Sequence, residues 1–145
     1  MRIAAGSDHA GLVLKQALIA HLESLGHEVE DVGTHTNASC DYPDFAAGVT
    51  SKVIAGDVSW GLLVCGTGVG MSMAANKVAG IRAAVVSEPF SAAATRQHNN
   101  ANVLCLGERV IGQWQACRIV DAWLGVDFEG GRHQRRIDKI HALER

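Results

Sequence analysis

The sequence predicts an α/β protein, a three-layer α/β/α sandwich around a Rossmann-like, five-stranded and mostly parallel sheet. Short apolar runs alternate with longer amphipathic stretches along the chain, which is the pattern of stacked βα units. The run Trp60–Cys65 is almost wholly apolar, as expected of a central parallel strand buried on both faces. No internal repeat or linker-like tract interrupts the 145 residues, so we expect a single domain over residues 1–145.

Five strands and six helices are expected in chain order. The strands are predicted at 2–5, 27–32, 60–65, 81–86 and 102–106, the second of them near a sheet edge. The helices are predicted at 12–25, 43–55, 71–78, 89–98, 112–124 and 132–143. Gly26 follows the first helix in the C-cap position, and Pro43 and Pro89 stand where the first turn of a helix tolerates proline.

The composition restricts the classes of partner. A net charge of -2 and a pI near 6.4 indicate no surface for nucleic acid, although they leave room for a site that binds one phosphate group. No apolar run is long enough for a membrane span, and no signal-type segment opens the chain, so we expect a cytoplasmic protein with no membrane partner. The four cysteines form no Cys-x-x-Cys pair and no close ligand cluster, so we expect free thiols and no metal site.

Residues 65–70, Cys-Gly-Thr-Gly-Val-Gly, are the most informative segment. The alternating glycines Gly66, Gly68 and Gly70 let backbone N–H groups turn inward together, and the next helix adds its positive N-terminal end. Such a nest binds an anion or stabilises a developing oxyanion. The segment lacks the Gly-Lys-Ser/Thr of a P-loop, and Met71 occupies the place of the third glycine of the dinucleotide fingerprint.

Cys65 ends the apolar strand directly against this nest. The helix dipole and the N–H donors both favour a thiolate, which makes Cys65 a candidate base or nucleophile. The equally weighted alternative is an ordinary core cysteine at the end of a strand.

Three other groups each allow a functional and a purely structural interpretation. Asp8 and His9 follow the first strand, at the edge where such sheets bind ligands, but Asp8 can equally cap the next helix. Residues 98–100, His-Asn-Asn, can bind a substrate or simply terminate the fourth helix. Arg132 and Arg136 project from one helix face and can clamp a phosphate or form a solvated basic patch, to which His133 would add.

Nine stretches that run in order through the chain match one family: residues 6–11, 41–43, 65–70, 74–77, 80–83, 87–89, 96–99, 107–110 and 129–133. In these stretches the chain resembles the type B ribose-5-phosphate isomerases, within the wider family that includes the galactose-6-phosphate isomerase subunits. The resemblance implies an aldose–ketose isomerase of the pentose phosphate pathway, which interconverts ribose 5-phosphate and ribulose 5-phosphate through a cis-enediolate. Such a reaction requires a base and an anion stabiliser and no redox cofactor.

The resemblance also implies a role for each matching residue. Cys65 would be the base, and Thr67 would help to move a proton between the two enediolate oxygens. His98 would open the furanose ring with the help of Asp8. The substrate-binding set would comprise Asp8, His9, Gly66, Thr67, Gly68, Val69, Gly70, Asn99, Arg109, Arg132 and Arg136, with His9 and the last two arginines on the phosphate and Tyr42 lining the pocket.

In this family the active site lies between two subunits, so the resemblance implies a homodimer, or a pair of dimers, with helix 132–143 at the interface. An isomerase of six-carbon sugar phosphates, such as allose or galactose phosphates, is the second hypothesis. A phosphate-binding module without catalysis and a thiol redox protein are the alternatives from other classes. The presence of Cys65 together with His98 argues against the first of these, and the absence of Cys-x-x-Cys against the second.

Overall fold

The computed structural model describes residues 1–144 and contains the predicted alternation of strands and helices. The strands are β1 (Arg2–Ser7), β2 (Glu28–Gly33), β3 (Trp60–Cys65), β4 (Ala83–Val85) and β5 (Val103–Gly107). The helices are α1 (Leu12–Ser24), α2 (Tyr42–Ala55), α3 (Val69–Ala75), α4 (Pro89–Asn99), α5 (Gln113–Leu124) and α6 (Arg132–His141). A single 3₁₀ turn, His9–Gly11, joins β1 to α1.

The five strands form one sheet in the order β2-β1-β3-β5-β4, and every neighbouring pair is parallel. The sheet is therefore wholly parallel, and β2 lies at an edge as predicted. From β1 the chain passes to β2 on one side and then returns to β3 on the other. At such a reversal of strand order the carboxyl ends of the two central strands open a crevice, which is where open α/β sheets bind ligands.

Helices cover both faces of the sheet and bury two apolar clusters. Along β3, Leu62 and Val64 face a cluster with α1 and α5, whereas Leu63 and Cys65 face a cluster with α2 and α3. The alternation follows from the period of two along a strand. Since both faces are covered, the central strands are apolar at most positions, which is why these strands could be found from the sequence.

Several element boundaries differ from the sequence prediction, those of α3, β4 and α6 among them. Helix α3 begins at Val69 rather than at Met71, because Gly68 adopts a φ of 79° and turns the chain from the strand directly into the helix. Strand β4 is shorter than the predicted 81–86, since the Arg82 N–H donates to the Asn102 side-chain oxygen at 2.8 Å instead of to a strand. Helix α6 ends at His141, two residues before its predicted end.

Lys15 is a buried charge at the root of the loop that follows β2. Its side chain is fully buried, and Nζ donates to Asp31 Oδ1 and to the Thr34 carbonyl oxygen, both at 2.6 Å. A buried ammonium is stable only when it is paired and hydrogen-bonded in this way. Lys15 therefore fixes the start of the loop over residues 34–41, which runs from β2 towards α2.

Candidate active site

The carboxyl ends of β1, β3 and β5 bring the first group of predicted site residues together. We call this group the carboxyl-edge cluster. It comprises Asp8, His9, Tyr42, Cys65, Gly66, Thr67, Gly68, Val69, Gly70 and Arg109. The cluster lies at the reversal of strand order, as the rule for open α/β sheets predicts.

Cys65 is held by the backbone of the glycine-rich loop. Its side chain is buried, and the Gly68 N–H donates to Sγ at 3.1 Å. A donor at this position stabilises negative charge on sulfur, and the N-terminus of α3 acts in the same sense. Gly68 cannot be replaced without movement of the backbone, because a Cβ there would lie 2.9 Å from the carbonyl carbon of Leu106.

Two of the N–H groups in the predicted nest already have acceptors. The Gly68 N–H points to Cys65 Sγ, and the Val69 N–H donates to Thr67 Oγ1 at 3.2 Å. The Thr67 hydroxyl therefore accepts at the start of α3, and its own proton remains available to a ligand. An oxyanion that enters the nest has to compete with these two internal acceptors.

Arg109 and Tyr42 flank the loop on either side. The Arg109 N–H donates to the Gly66 carbonyl oxygen at 3.0 Å, and a Cβ on Gly66 would lie 3.5 Å from Arg109 Cδ. The Tyr42 ring lies so close to Gly70 that a Cβ there would come within 2.7 Å of it. The small residues at these two positions therefore let a guanidinium and a phenol approach the loop closely.

Asp8 caps the turn that follows β1, which is the structural role that the sequence allowed besides substrate binding. Its Oδ1 accepts from the Ala10 and Gly11 N–H groups at 3.0 and 3.1 Å, and the side chain is buried. His9 is oriented by the loop after β2, since its Nδ1 accepts from the Cys40 N–H at 3.2 Å. In the neutral ring the proton must then reside on Nε2, which leaves His9 a donor for an anion.

The other cysteines behave as core or surface thiols, as expected, and all four are free. Cys105 lies one strand away from Cys65 on the same face of the sheet and is completely buried. Burial raises the pKa of the Cys105 thiol, because a thiolate would lose its hydration there. Cys40 and Cys117 are half-buried.

The second group of predicted site residues lies at the opposite edge of the sheet. His98 and Asn99 end α4, which leads into the amino end of β5, and the neighbouring Asn102 carbonyl accepts from the Gly61 N–H near the start of β3. Cys65 stands four residues beyond Gly61 at the other end of β3, about 13 Å along the strand. Within one chain, therefore, the predicted base and the predicted ring-opening histidine do not meet.

We call this second group the amino-edge cluster. It comprises His98, Asn99, Glu129, Arg132, His133 and Arg136. The imidazole rings of His98 and His133 stack with their centroids 4.5 Å apart and their planes at 14°. Glu129 Oε1 lies 3.9 Å from His98 Nε2 and 3.6 Å from His133 Nε2.

The prediction for His133 is wrong, because its side chain is buried. His133 was expected to extend an exposed basic patch, but it is 6% exposed and its Nε2 has no hydrogen-bond partner. Burial lowers the pKa of His133, and the positive charge of Arg132 lowers it further. No short stretch of the sequence signals this arrangement, because Gly130 and Gly131 both have a positive φ and α6 begins only at Arg132.

Arg132 and Arg136 are exposed on α6. Their exposure fits both a phosphate clamp and a solvated basic patch. Asn99 lines a groove of about 900 Å³ together with Arg82, Ile140 and Leu143. The Asn99 carbonyl oxygen accepts from Arg82 Nε at 3.2 Å. This groove borders the amino edge of the sheet, and Cys65 is not among its lining residues.

A protein-family model described as Ribose/Galactose Isomerase matches residues 3–140. The chain belongs to this family. It is 54% identical to the ribose-5-phosphate isomerase B of Escherichia coli (strain K12), over 99% of this chain and 96% of that protein. The resemblance inferred from the nine stretches is thereby confirmed, and the protein is an isomerase.

Solved structures confirm the predicted fold class. The ribose-5-phosphate isomerase B of Clostridium thermocellum superposes with a TM-score of 0.98 at 50% identity, covering 99% of this chain and 97% of that one. The enzyme of Mycoplasma genitalium, solved with bound ribulose 5-phosphate, gives a TM-score of 0.93 at 50% identity and covers 97% and 94%. In the part of this chain that the structure describes, no helix has the length and apolar character needed to cross a membrane.

Proposed function

We propose that the protein interconverts ribose 5-phosphate and ribulose 5-phosphate, as a step of the pentose phosphate pathway, in a site formed by two copies of the chain. The observation that carries the proposal is the Cys65 thiol, which receives the Gly68 N–H at 3.1 Å at the start of α3. The relative from Mycoplasma genitalium binds ribulose 5-phosphate at 50% identity, which supports the choice of substrate. The four free thiols fit a cytoplasmic enzyme.

In the proposed mechanism Cys65 moves one proton between two neighbouring carbons. The thiolate takes the proton from C2 of the open-chain aldose, and the electron pair forms the C1–C2 double bond of an enediolate as the carbonyl oxygen O1 gains charge. The resulting thiol then returns its proton to C1, while the O2–C2 bond becomes the new carbonyl. Thr67 passes the hydroxyl proton from O2 to O1, so that protons and electrons balance over the cycle.

The loop after β3 would stabilise the charge of the enediolate. Its backbone N–H groups and the N-terminus of α3 carry positive partial charge and are fixed before substrate arrives, and the exposed Arg109 guanidinium beside Gly66 adds a full positive charge. The substrate oxygens would take over donors that now serve Cys65 Sγ and Thr67 Oγ1. This exchange keeps the buried Gly68 N–H and the exposed Val69 N–H hydrogen-bonded both before and after binding.

The remaining roles require the amino-edge cluster of a second chain. His98 would donate a proton to the ring oxygen as the C1–O bond of the furanose breaks, with Asp8 assisting and Asn99 holding the sugar. Arg132 and Arg136 would bind the phosphate together with His9 of the other chain, since paired guanidiniums bind phosphate in a bidentate manner. The separation of about 13 Å between the two edges is the reason for proposing a homodimer, with α6 at its interface.

Complementation between two inactive variants tests both the reaction and the shared site. Cys65→Ala and His98→Asn are expected to lose turnover of ribose 5-phosphate when each is assayed alone. After the two are unfolded together and refolded at equal concentration, about a quarter of the wild-type activity should return, because half of the dimers are mixed and each mixed dimer has one intact site. Cys117→Ala, at a half-buried thiol outside both clusters, is the matched control.

The outcomes separate the parts of the proposal. Full activity of Cys65→Ala alone would remove Cys65 as the base. Inactive single variants without recovery on mixing would mean that each site is built from one chain. Turnover of allose 6-phosphate in preference to ribose 5-phosphate would replace the proposed substrate by the six-carbon class.

A further inference from the structure

Three metal-ligating side chains converge where α4 and α6 meet. The nearest atoms of His98, Glu129 and His133 all lie within 4.8 Å of one another, and Glu129 Oε1 is 3.6 and 3.9 Å from the two Nε2 atoms. In a tetrahedral zinc site with ligand distances of about 2.1 Å, neighbouring ligand atoms are about 3.4 Å apart. Two imidazoles and one carboxylate are a common ligand set of zinc sites that keep a fourth position open.

His133 gives an independent reason to expect a ligand here. It is 6% exposed, its Nε2 is closed off from solvent, and that nitrogen has no hydrogen-bond partner. A buried polar atom left in this state destabilises the fold unless another group reaches it. The unpartnered nitrogen lies next to Glu129, so a cation placed between them would satisfy both.

The backbone holds two of the three ligands in place. The Glu129 N–H donates to the Gln97 carbonyl oxygen at 3.0 Å, which ties this residue to the end of α4 beside His98. The His133 N–H donates to the Gly130 carbonyl oxygen at 3.1 Å, in the turn that begins α6. Gly130 and Gly131, both with positive φ, turn the chain between Glu129 and His133, and Glu129 Oε1 thereby lies 3.6 Å from His133 Nε2.

One ring has to turn before all three ligands can point at a common ion. The planes of His98 and His133 are nearly parallel, so their nitrogen lone pairs do not converge as they stand. The His98 side chain is 45% exposed and can rotate, whereas His133 is fixed by burial. The positive charges of Arg132 and Arg136 oppose a cation here, but both side chains are exposed, so solvent and salt weaken the repulsion, and Glu129 provides the opposite charge.

We propose that His98, Glu129 and His133 form a binding site for a divalent transition metal such as Zn²⁺, and that the bound metal inhibits the enzyme. Inhibition follows because a His98 that ligates metal cannot donate a proton to the sugar ring. The inhibitory effect rests on the proposed function, but the binding of metal does not.

Binding is measured on the full chain with Co²⁺ as the spectroscopic probe and Zn²⁺ by calorimetry. We expect one ion per chain, with the visible absorption of Co²⁺ in a site of nitrogen and oxygen ligands. Glu129→Gln and His133→Asn should each weaken binding by at least about tenfold, the size of effect seen even when a residue that supports a ligand is lost. Glu129 is half-exposed, so its variant tests the proposal if the substitution at the buried His133 disturbs folding.

His21 offers a matched control elsewhere on the surface. Its Nε2 lies 2.6 Å from Asp121 Oδ1, so it is also a histidine in contact with a carboxylate, but its group has no third ligand. His21→Asn should leave the affinity for Co²⁺ and Zn²⁺ unchanged. If His21→Asn weakened the affinity for Co²⁺ and Zn²⁺ as much as the other variants do, the metal would bind outside the proposed site and the proposal would be overturned.

Two further results would also overturn it. The first is that the wild-type chain binds neither ion, or that Glu129→Gln binds Co²⁺ and Zn²⁺ as tightly as the wild type does. The second is a thiolate charge-transfer band with Co²⁺, which would place the ion on one of the four cysteines. In the activity assay, Zn²⁺ should inhibit turnover at the concentration that fills the site. A chain that binds Zn²⁺ but does not isomerise ribose 5-phosphate would refute the proposed function, whereas the proposed metal site would remain supported.

Discussion

The two halves of the proposed site are built in different ways. In the carboxyl-edge cluster the backbone makes the site, through the N–H donor to Cys65 and the close approach of Tyr42 to Gly70. In the amino-edge cluster side chains make the site, and apart from His133 they are exposed. The comparison indicates that the proton-transfer centre is rigid before substrate binds, whereas the residues offered to the sugar ring and the phosphate still have freedom to adjust.

The largest effect is expected at the amino edge, for His98→Asn. Loss of the acid that opens the furanose should slow ring opening by about 10²-fold or more, the usual contribution of a general acid. The measurement is pre-steady-state opening of ribose 5-phosphate, because both directions of the overall reaction must slow together at equilibrium. His27→Asn, just before the edge strand β2 and beside the N-terminus, is the control. A normal rate of ring opening in His98→Asn would contradict the proposal that His98 is the acid that opens the furanose ring.

The next effect concerns the proposed phosphate contacts on α6, where Arg132 and Arg136 are exposed. Arg136→Met should raise KM by about 10- to 100-fold with little change in kcat, since a hydrogen bond to a charged group contributes about 1.5–3 kcal/mol. Arg135→Met, an exposed neighbour on the same helix, controls for the loss of one positive charge. Equal increases of KM in both variants would indicate general attraction of the phosphate rather than a clamp.

The rigid half is tested by Gly68→Ala. Its φ of 79° disfavours a side chain, and the new Cβ would approach the Leu106 backbone to 2.9 Å. Strain of this kind costs about 1–3 kcal/mol, so the free energy of unfolding should fall by that amount in a urea titration. Turnover should fall as well, because the donor to Cys65 moves. Gly112→Ala is the control, because a Cβ on Gly112 would have no neighbouring atom within 4 Å and φ there is -79°. It should change the free energy of unfolding and the turnover much less than Gly68→Ala does.

The smallest effect is a pH dependence of stability at the start of α4, the helix that carries His98. A hydrogen bond from the Ser91 side chain lowers the pKa of Glu88, and the Ser91 N–H, which both carboxylate oxygens accept at 3.0 and 3.1 Å, lowers it further. A carboxyl group with a lowered folded-state pKa stabilises the fold above its unfolded pKa of about 4.3, and this contribution is lost as the pH falls below that value. Glu88→Gln should therefore be less stable than the wild type at pH 7, and the difference should shrink in acid. A difference that stays constant with pH would show that the charge of Glu88 is not responsible.

The fold could be predicted from the sequence because its signals are local. Apolar runs buried on two faces identify central strands, and glycine or proline marks where the helices begin and end, as at Gly26 and Pro43. The shortened β4 could not be predicted, since the Arg82 backbone bonds to a side chain twenty residues away. The early start of α3 depends on the positive φ of Gly68, which sequence permits but does not require.

The candidate site was predictable in part. The glycine-rich loop carries its chemistry in consecutive residues, so the place of Cys65 could be inferred without the structure. The burial of His133 and its stacking on His98 depend on how α6 packs against α4, which no short stretch encodes. The separation of His98 from Cys65 was deducible, because a helix that ends just before a strand lies at the amino edge of a parallel sheet. The roles of these residues, the single domain and the dimer remain predictions.

The anchoring of the loop over residues 34–41 has a consequence for sugar preference. Lys15 secures its first residue, Thr34, from inside the protein, and beyond its end Tyr42 rests on Gly70. Between these two fixed ends the loop touches His9 through the Cys40 N–H, while residues 35–39 are exposed. Insertions and substitutions in residues 35–39 should leave the sheet undisturbed, so we predict that this short stretch sets the length of the sugar accepted while the proposed proton-transfer centre stays as it is.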